Sequence, residues 1–163
     1  GVIYANLKPA TVLIDGDGVL KLSDFTLAAR VTDERGPQSK RVTPAYMAPE
    51  LFEDDGVPSF ASDFWSLGCV LYELAAGRPP FMSTTFRELL NTILHDQHPA
   101  LPNVSTEFNN LLTLLLQKDP EQRPTWEELR LHPFWQHQPL APLAMPPQPR
   151  FEEFLAKRRG GGA

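Results

Sequence analysis

Ser62 to Leu74, read as Ser-Asp-Phe-Trp-Ser-Leu-Gly-Cys-Val-Leu-Tyr-Glu-Leu, is apolar on nearly every side of a helix. A helix with one polar face lies on a surface. One that is hydrophobic almost all round belongs in the middle of a domain. The rest of the chain must therefore wrap this segment. Gly77 is placed to stop the helix, and Pro79-Pro80 forbids its continuation. Candidate wrapping helices follow. Thr85 and Glu88 have capping-box spacing ahead of Phe86, Leu89, Leu90, Ile93 and Leu94. Ser105-Thr106-Glu107 begins another, with Phe108, Leu111, Leu112, Leu115 and Leu116 on one stripe. Thr125 and Glu128 cap a short fourth helix that carries Trp126 and Leu129.

A chain of 163 residues holds one domain with a sizeable core, and 42% hydrophobic with 21% charged residues is a soluble, globular balance. A net charge of -5 argues against a nucleic-acid partner. No apolar run reaches the length of a membrane span, so no membrane role is expected. The single cysteine, Cys69, excludes an internal disulfide and suits a reducing intracellular compartment. Its neighbours Leu67, Val70 and Leu71 mark it as a buried thiol rather than a nucleophile. His95, His98, His132 and His137 fall into no metal-site spacing with cysteine or carboxylate ligands. The chain starts with Gly1 in what reads as a loop, so a fragment is expected, and no signal peptide is judged from such a start.

Ahead of the central helix, Val12-Leu13-Ile14 and Val19-Leu20-Lys21-Leu22 flank Asp15-Gly16-Asp17-Gly18, the signal of a β-hairpin. From Asp24 to Glu50 the chain is polar with little periodicity, which predicts a long, functional or mobile loop. After Trp135, the prolines at 139, 142, 146, 147 and 149 predict a semi-rigid extended linker. Phe151 to Arg159 reads as a short amphipathic helix, acidic first and basic last, before a Gly-rich end. The division expected is 1–137 for the folded domain, 138–150 for the linker and 151–163 for the end segment. The fold class expected is mainly α, a short hairpin followed by helices.

The run Tyr4-Ala5-Asn6-Leu7-Lys8-Pro9-Ala10-Thr11, the hairpin and Asp24-Phe25-Thr26 resemble the catalytic and magnesium-binding loops of protein kinases. Thr43-Pro44-Ala45-Tyr46-Met47-Ala48-Pro49-Glu50 is similar to the segment that seats the substrate and closes on Ala-Pro-Glu. The resemblance runs from Gly1 to about Trp135 and implies the C-terminal lobe alone. The Gly-rich phosphate loop, strand lysine and helix glutamate of the N-terminal lobe are not in the chain. Leu71 to Phe81 and the residues around Leu20-Lys21-Leu22-Ser23 are similar to the Fused and Unc-51-like group. The Pro147-Gln148-Pro149-Arg150-Phe151-Glu152 exit resembles the fourth Unc-51-like branch, which contains pseudokinases. That branch implies protein partners among microtubule- or cilium-associated proteins, and a cytoplasmic, cytoskeletal or ciliary location.

On this resemblance the catalytic equipment is edited. Asn6 stands where the base Asp is expected, and an amide takes up no proton at neutral pH. General base catalysis is worth roughly 100- to 10,000-fold. Asn6 alternatively holds its loop by hydrogen bonds. Lys8 steadies the transferred phosphate in an active enzyme, or is a surface lysine here. Asp24 is the retained metal ligand, a hard oxygen donor suited to Mg²⁺, or a turn residue bonding nearby amides. Thr11 replaces the second ligand, an asparagine, so Mg²⁺ is expected to bind weakly or not at all. Thr26 replaces a glycine whose positive φ a β-branched residue resists. Leu13 falls at the adenine floor if ATP binds, or in ordinary core packing. Ala5 removes the guanidinium that anchors a phosphorylated loop. Thr43 corresponds to the threonine that contacts the catalytic loop. Glu50 and Arg123 correspond to an ion pair, and Asp63 to the helix residue that bonds the catalytic-loop backbone. All three are scaffold residues. The implied function is a pseudokinase that binds nucleotide or acts as a scaffold. An active Ser/Thr kinase that has moved its base or ligands, and a nonfunctional truncated product, remain open.

Overall fold

A computed structural model describes residues 1–31, 43–54 and 56–136. The Pro-rich segment, the amphipathic segment after it and His137 lie outside the described residues. The order of elements is β1 (Val2–Ile3), β2 (Val12–Ile14), β3 (Leu20–Leu22), β4 (Ala29–Arg30), α1 (Phe60–Ala76), α2 (Phe86–His95), α3 (Thr106–Leu115), α4 (Trp126–Leu131) and α5 (Pro133–Gln136). Short 3₁₀ turns join them, among them Phe25–Leu27 and Pro44–Tyr46. The described residues are helix-rich with few strands.

From Ala61 to Glu73 no residue of α1 is exposed, and Trp65, Cys69 and Tyr72 are fully buried. The helix begins two residues before the apolar run suggests. Ser59 caps it reciprocally, its hydroxyl accepting from the Ser62 amide at 3.2 Å and its own amide donating to the Ser62 hydroxyl at 2.9 Å. Gly77 ends it at φ 72°, the left-handed conformation that glycine adopts without a Cβ penalty. Trp65 stacks on Phe81 at 5.6 Å, beside Ala48, Cys69, Ile93 and Leu116. On another side of α1, Phe64, Leu67 and Leu71 meet Leu111, Leu115 and Leu129. Gly68 lets α3 approach closely: a Cβ there would lie 2.9 Å from the Leu115 Cβ.

The predicted start of α2 is half formed. The Thr85 hydroxyl accepts from the Glu88 amide at 3.2 Å, but the Glu88 carboxylate turns to the Ser83 hydroxyl at 2.6 Å. At α4 the box closes, with Thr125 amide to Glu128 at 2.8 Å. A fifth helix, α5, follows the four that periodicity suggests, because Phe134 packs against the second core cluster and Trp135 edge-on against Phe134.

In the hairpin Val12 pairs with Leu22, Leu13 with Lys21 and Ile14 with Leu20. The Asp15 carboxylate holds the turn by accepting from the Asp17 and Val19 amides, at 3.0 and 2.9 Å. The stretch after Asp24 is not all loop. Its residues Ala29–Arg30 form β4, which pairs antiparallel with β1, Ile3 opposite Ala29. That pairing returns the chain to its own start and fixes Phe25–Leu27 beside Tyr4–Asn6.

Candidate functional site

Asp63, in the first turn of α1, sets the loop after β1. Its two carboxylate oxygens accept from the Tyr4 amide at 2.7 Å and the Ala5 amide at 2.8 Å. This bidentate hold keeps Ala5 at φ 58°, a conformation that costs a non-glycine residue about 1–2 kcal/mol. Burial raises the Asp63 carboxyl above the usual range, against the two amides that lower it. The Tyr4 hydroxyl donates to the Ser23 carbonyl, and its ring packs edge-on to Phe25 at 5.3 Å. Two loops distant in sequence are thereby pinned together. Sequence reasoning passed over Tyr4, although it falls where the kinase pattern has histidine.

Asn6 comes next, 8% exposed and facing Asp24. Its Nδ2 donates to the Asp24 carboxylate at 3.0 Å and to the Asp24 carbonyl at 3.3 Å. The other carboxylate oxygen accepts from the Thr26 hydroxyl at 2.6 Å. These donors, Thr26 first and Asn6 second, hold the Asp24 carboxyl below the ordinary carboxylate range. Asp24 has a positive φ, 56°, and Thr26 does not. Thr26 sits inside the 3₁₀ turn Phe25–Leu27, where a β-branched residue meets no such conflict. Its hydroxyl is therefore a partner for Asp24 rather than a source of strain.

Thr11 is 3% exposed, and its hydroxyl lies 2.9 Å from the Asn6 carbonyl and 3.0 Å from that of Lys8. It closes the turn Pro9–Thr11 and makes no contact with Asp24 among the described hydrogen bonds. Lys8 Nζ donates to the Thr43 hydroxyl at 3.3 Å, joining the first loop to the segment before Pro44. Ala5, Asn6, Lys8, Thr43, Met47 and Ser66 line a small cavity open to solvent. Leu13 is 53% exposed, so ordinary core packing is not its role in this chain.

Glu50 and Arg123 meet in a bidentate pair, both contacts at 2.7 Å. The Arg123 side chain is fully buried, and it donates as well to the carbonyls of Ala61, Gln117 and Lys118. Nearby Tyr46, just after Pro44, donates its hydroxyl to Glu73 at 2.6 Å, and burial with that carboxylate pushes the phenol well up. Cys69 is fully buried, and burial raises its thiol far above the reactive range. His132 bonds Asn110 at 2.9 Å. Among the described residues no three His, Cys, Asp or Glu stand where they could share a metal ion. No described helix is long and apolar enough to cross a membrane.

The sequence profile described as protein kinase domain matches residues 1–135. The chain is 48% identical over 158 residues to serine/threonine-protein kinase RUNKEL of Arabidopsis thaliana, covering 95% of this chain and 12% of that protein. It is 37% identical over 166 residues to mouse serine/threonine-protein kinase ULK4, covering 83% of this chain and 13% of the relative. It is 39% identical over 134 residues to serine/threonine-protein kinase fused of Drosophila melanogaster, covering 82% of this chain and 16% of that protein. The chain thus spans a small part of the length of the relatives it matches.

Proposed function

The chain belongs to the protein kinase domain family, with the Fused and Unc-51-like kinases among its relatives, and from that premise we propose that it is the C-terminal lobe of a pseudokinase. In this reading it works as a binding or scaffolding module, with the nucleotide half of the domain supplied by a segment upstream. The observation that carries it is the Asn6–Asp24 contact. At the position of the proton acceptor stands a group that donates. An amide cannot accept the proton of an attacking hydroxyl, and losing general base catalysis costs roughly 100- to 10,000-fold. Phosphoryl transfer also relies on metal ions to neutralise phosphate charge. Thr11, with its hydroxyl bound to backbone, is a poor replacement for a second metal ligand. Mg²⁺ is accordingly weak or absent, and ATP, if it binds, depends little on it.

The partners are proteins, and the location is cytoplasmic, on the cytoskeleton or the cilium. Residues 1–137 form the domain portion, 138–150 a linker and 151–163 an end segment. A second reading, an active Ser/Thr kinase, is favoured by one contact: Lys8 still reaches Thr43. The test is peptide phosphorylation by the longer natural chain that includes the upstream segment. We expect transfer at background. Turnover at ordinary kinase rates, abolished by Asp24→Ala, would install the second reading instead.

A further inference from the structure

We infer that Asn6 and Thr26 replace a divalent cation at Asp24 with hydrogen-bond donors, so that the Asp24–Leu27 turn is set without metal. The inference rests on the kinase-like assignment of Asp24, but not on whether the chain transfers phosphate. Magnesium needs oxygens with free lone pairs in near-octahedral array, with one or two carboxylates as protein ligands. At Asp24 one carboxylate oxygen accepts from the Thr26 hydroxyl at 2.6 Å and, weakly, from the Thr26 amide at 3.5 Å. The other accepts from Asn6 Nδ2 at 3.0 Å. Both oxygens are thus engaged, and a cation binding there would share a carboxylate that already accepts from these donors. The Asn6 amide hydrogens also present positive charge at the oxygen they bond.

The identity of residue 6 changes the sign of the pair. Two carboxylates this close repel, and a proton or a cation must sit between them. A carboxamide facing a carboxylate needs neither. Asn6 is nearly buried, so its donors have little water to turn to, and Asp24 is the partner in reach. Thr26 completes the exchange by taking the oxygen that Asn6 leaves. On the resemblance alone, Asn6 and Thr26 are unconnected replacements, of an aspartate and of a glycine. The geometry makes them one device, which holds Asp24 at φ 56° and the 3₁₀ turn after it in a single arrangement.

The test is cation binding to the purified chain, read by Mn²⁺ broadening of the amide resonances of residues 24–27 and by the melting temperature with and without Mg²⁺. The natural sequence should show neither site-specific broadening nor a shift in melting. Asn6→Asp should melt lower without cation, regain its melting temperature with Mg²⁺, and bind Mn²⁺ about tenfold tighter or more, because repulsion now favours the ion. Thr26→Val removes one donor without adding charge. It should loosen residues 24–27 and raise Mn²⁺ broadening modestly. Site-specific Mn²⁺ binding by the natural sequence as tight as in Asn6→Asp would overturn the inference. So would an Asn6→Asp chain whose turn and melting ignore cations. Should Asn6→Asp fold under no condition, Thr26→Val decides, and broadening no stronger than in the natural sequence overturns the idea. Turnover is not read in any of these measurements. A kinase-active chain would therefore defeat the proposed function and leave this inference standing.

Discussion

Two polar pairs in this molecule join distant segments, and they are built to different standards. Arg123 and Glu50 meet with two parallel bonds, and the guanidinium's remaining donors find three backbone carbonyls. Asn6 and Asp24 meet through one amide, with Asp24 exposed to solvent. The first pair sits where helices are fastened to the segment after Pro44. The second sits where family resemblance puts chemistry. Arg123 and Glu50 set charge against charge, while Asn6 sets a neutral amide against the Asp24 carboxylate.

The largest expected effect breaks the first pair. Arg123→Ala leaves a Glu50 carboxylate and three carbonyls without their donor, and should cost about 3–5 kcal/mol of folding free energy. Asn6→Ala removes a neutral donor from an exposed carboxylate and should cost about 1 kcal/mol. Urea denaturation of both variants measures the gap. Equal losses would remove the distinction.

A second test strikes the helical region away from any charge. Gly68→Ala would put a Cβ 2.9 Å from the Leu115 Cβ and 2.9 Å from a Leu116 methyl. Overpacking of this kind costs about 1–3 kcal/mol. The α1–α3 contact has little room to give, since Leu115 is itself fully buried. A neutral result would mean that the two helices can slide apart.

How far the sequence disclosed all this depends on the range of the interaction. Helix caps and stops are local, so Ser105, Thr125 and Gly77 are legible at a glance. Pairing of β1 with β4 was not, because two residues on each side carry no periodicity and their partners lie a loop apart. Glu50 and Arg123 were found only through family spacing. At Thr26 the family's glycine draws attention to backbone conformation, while the structure shows its hydroxyl bonded to Asp24. The hydroxyl that matters was visible in the sequence, but its acceptor was not.

A third test uses pH. Lys118 Nζ lies 4.1 Å over the Phe81 ring and 5.0 Å over Trp65, and donates to the Ile93 carbonyl at 2.6 Å. Burial lowers its amine to about 8 from the 10.5 of a free lysine. Below about pH 8 folded and unfolded chains both hold the proton, and the contribution is constant. Between about 8 and 10.5 the unfolded chain binds more protons, so stability rises with pH. The amine is half-exposed, which leaves about 1 kcal/mol after solvent screening. Denaturation midpoints of Lys118→Met should lack this rise. A natural chain whose stability is flat over that window would show the ring contacts to hold the charged amine as well as water does.

The smallest expected effect lies in the hairpin, and it sharpens the comparison most. Leu13, Leu20 and Leu22 are exposed, whereas Leu111 in α3 is fully buried. Leu111→Ala should cost about 2–5 kcal/mol through lost burial and the cavity left behind. Leu13→Gln should change stability by no more than about 0.5 kcal/mol, since it removes a side chain that the fold leaves in water. Both residues are leucines in regular structure, so propensity does not separate them. What separates them is whether another element covers the face. If Leu13→Gln proved as costly as Leu111→Ala, something must cover the hairpin in solution. The split between a fastened helical body and an uncovered loop region would then fail at its most exposed point. A near-zero cost, measured in the same denaturation series, keeps the hairpin as a surface that contributes little to holding this chain together.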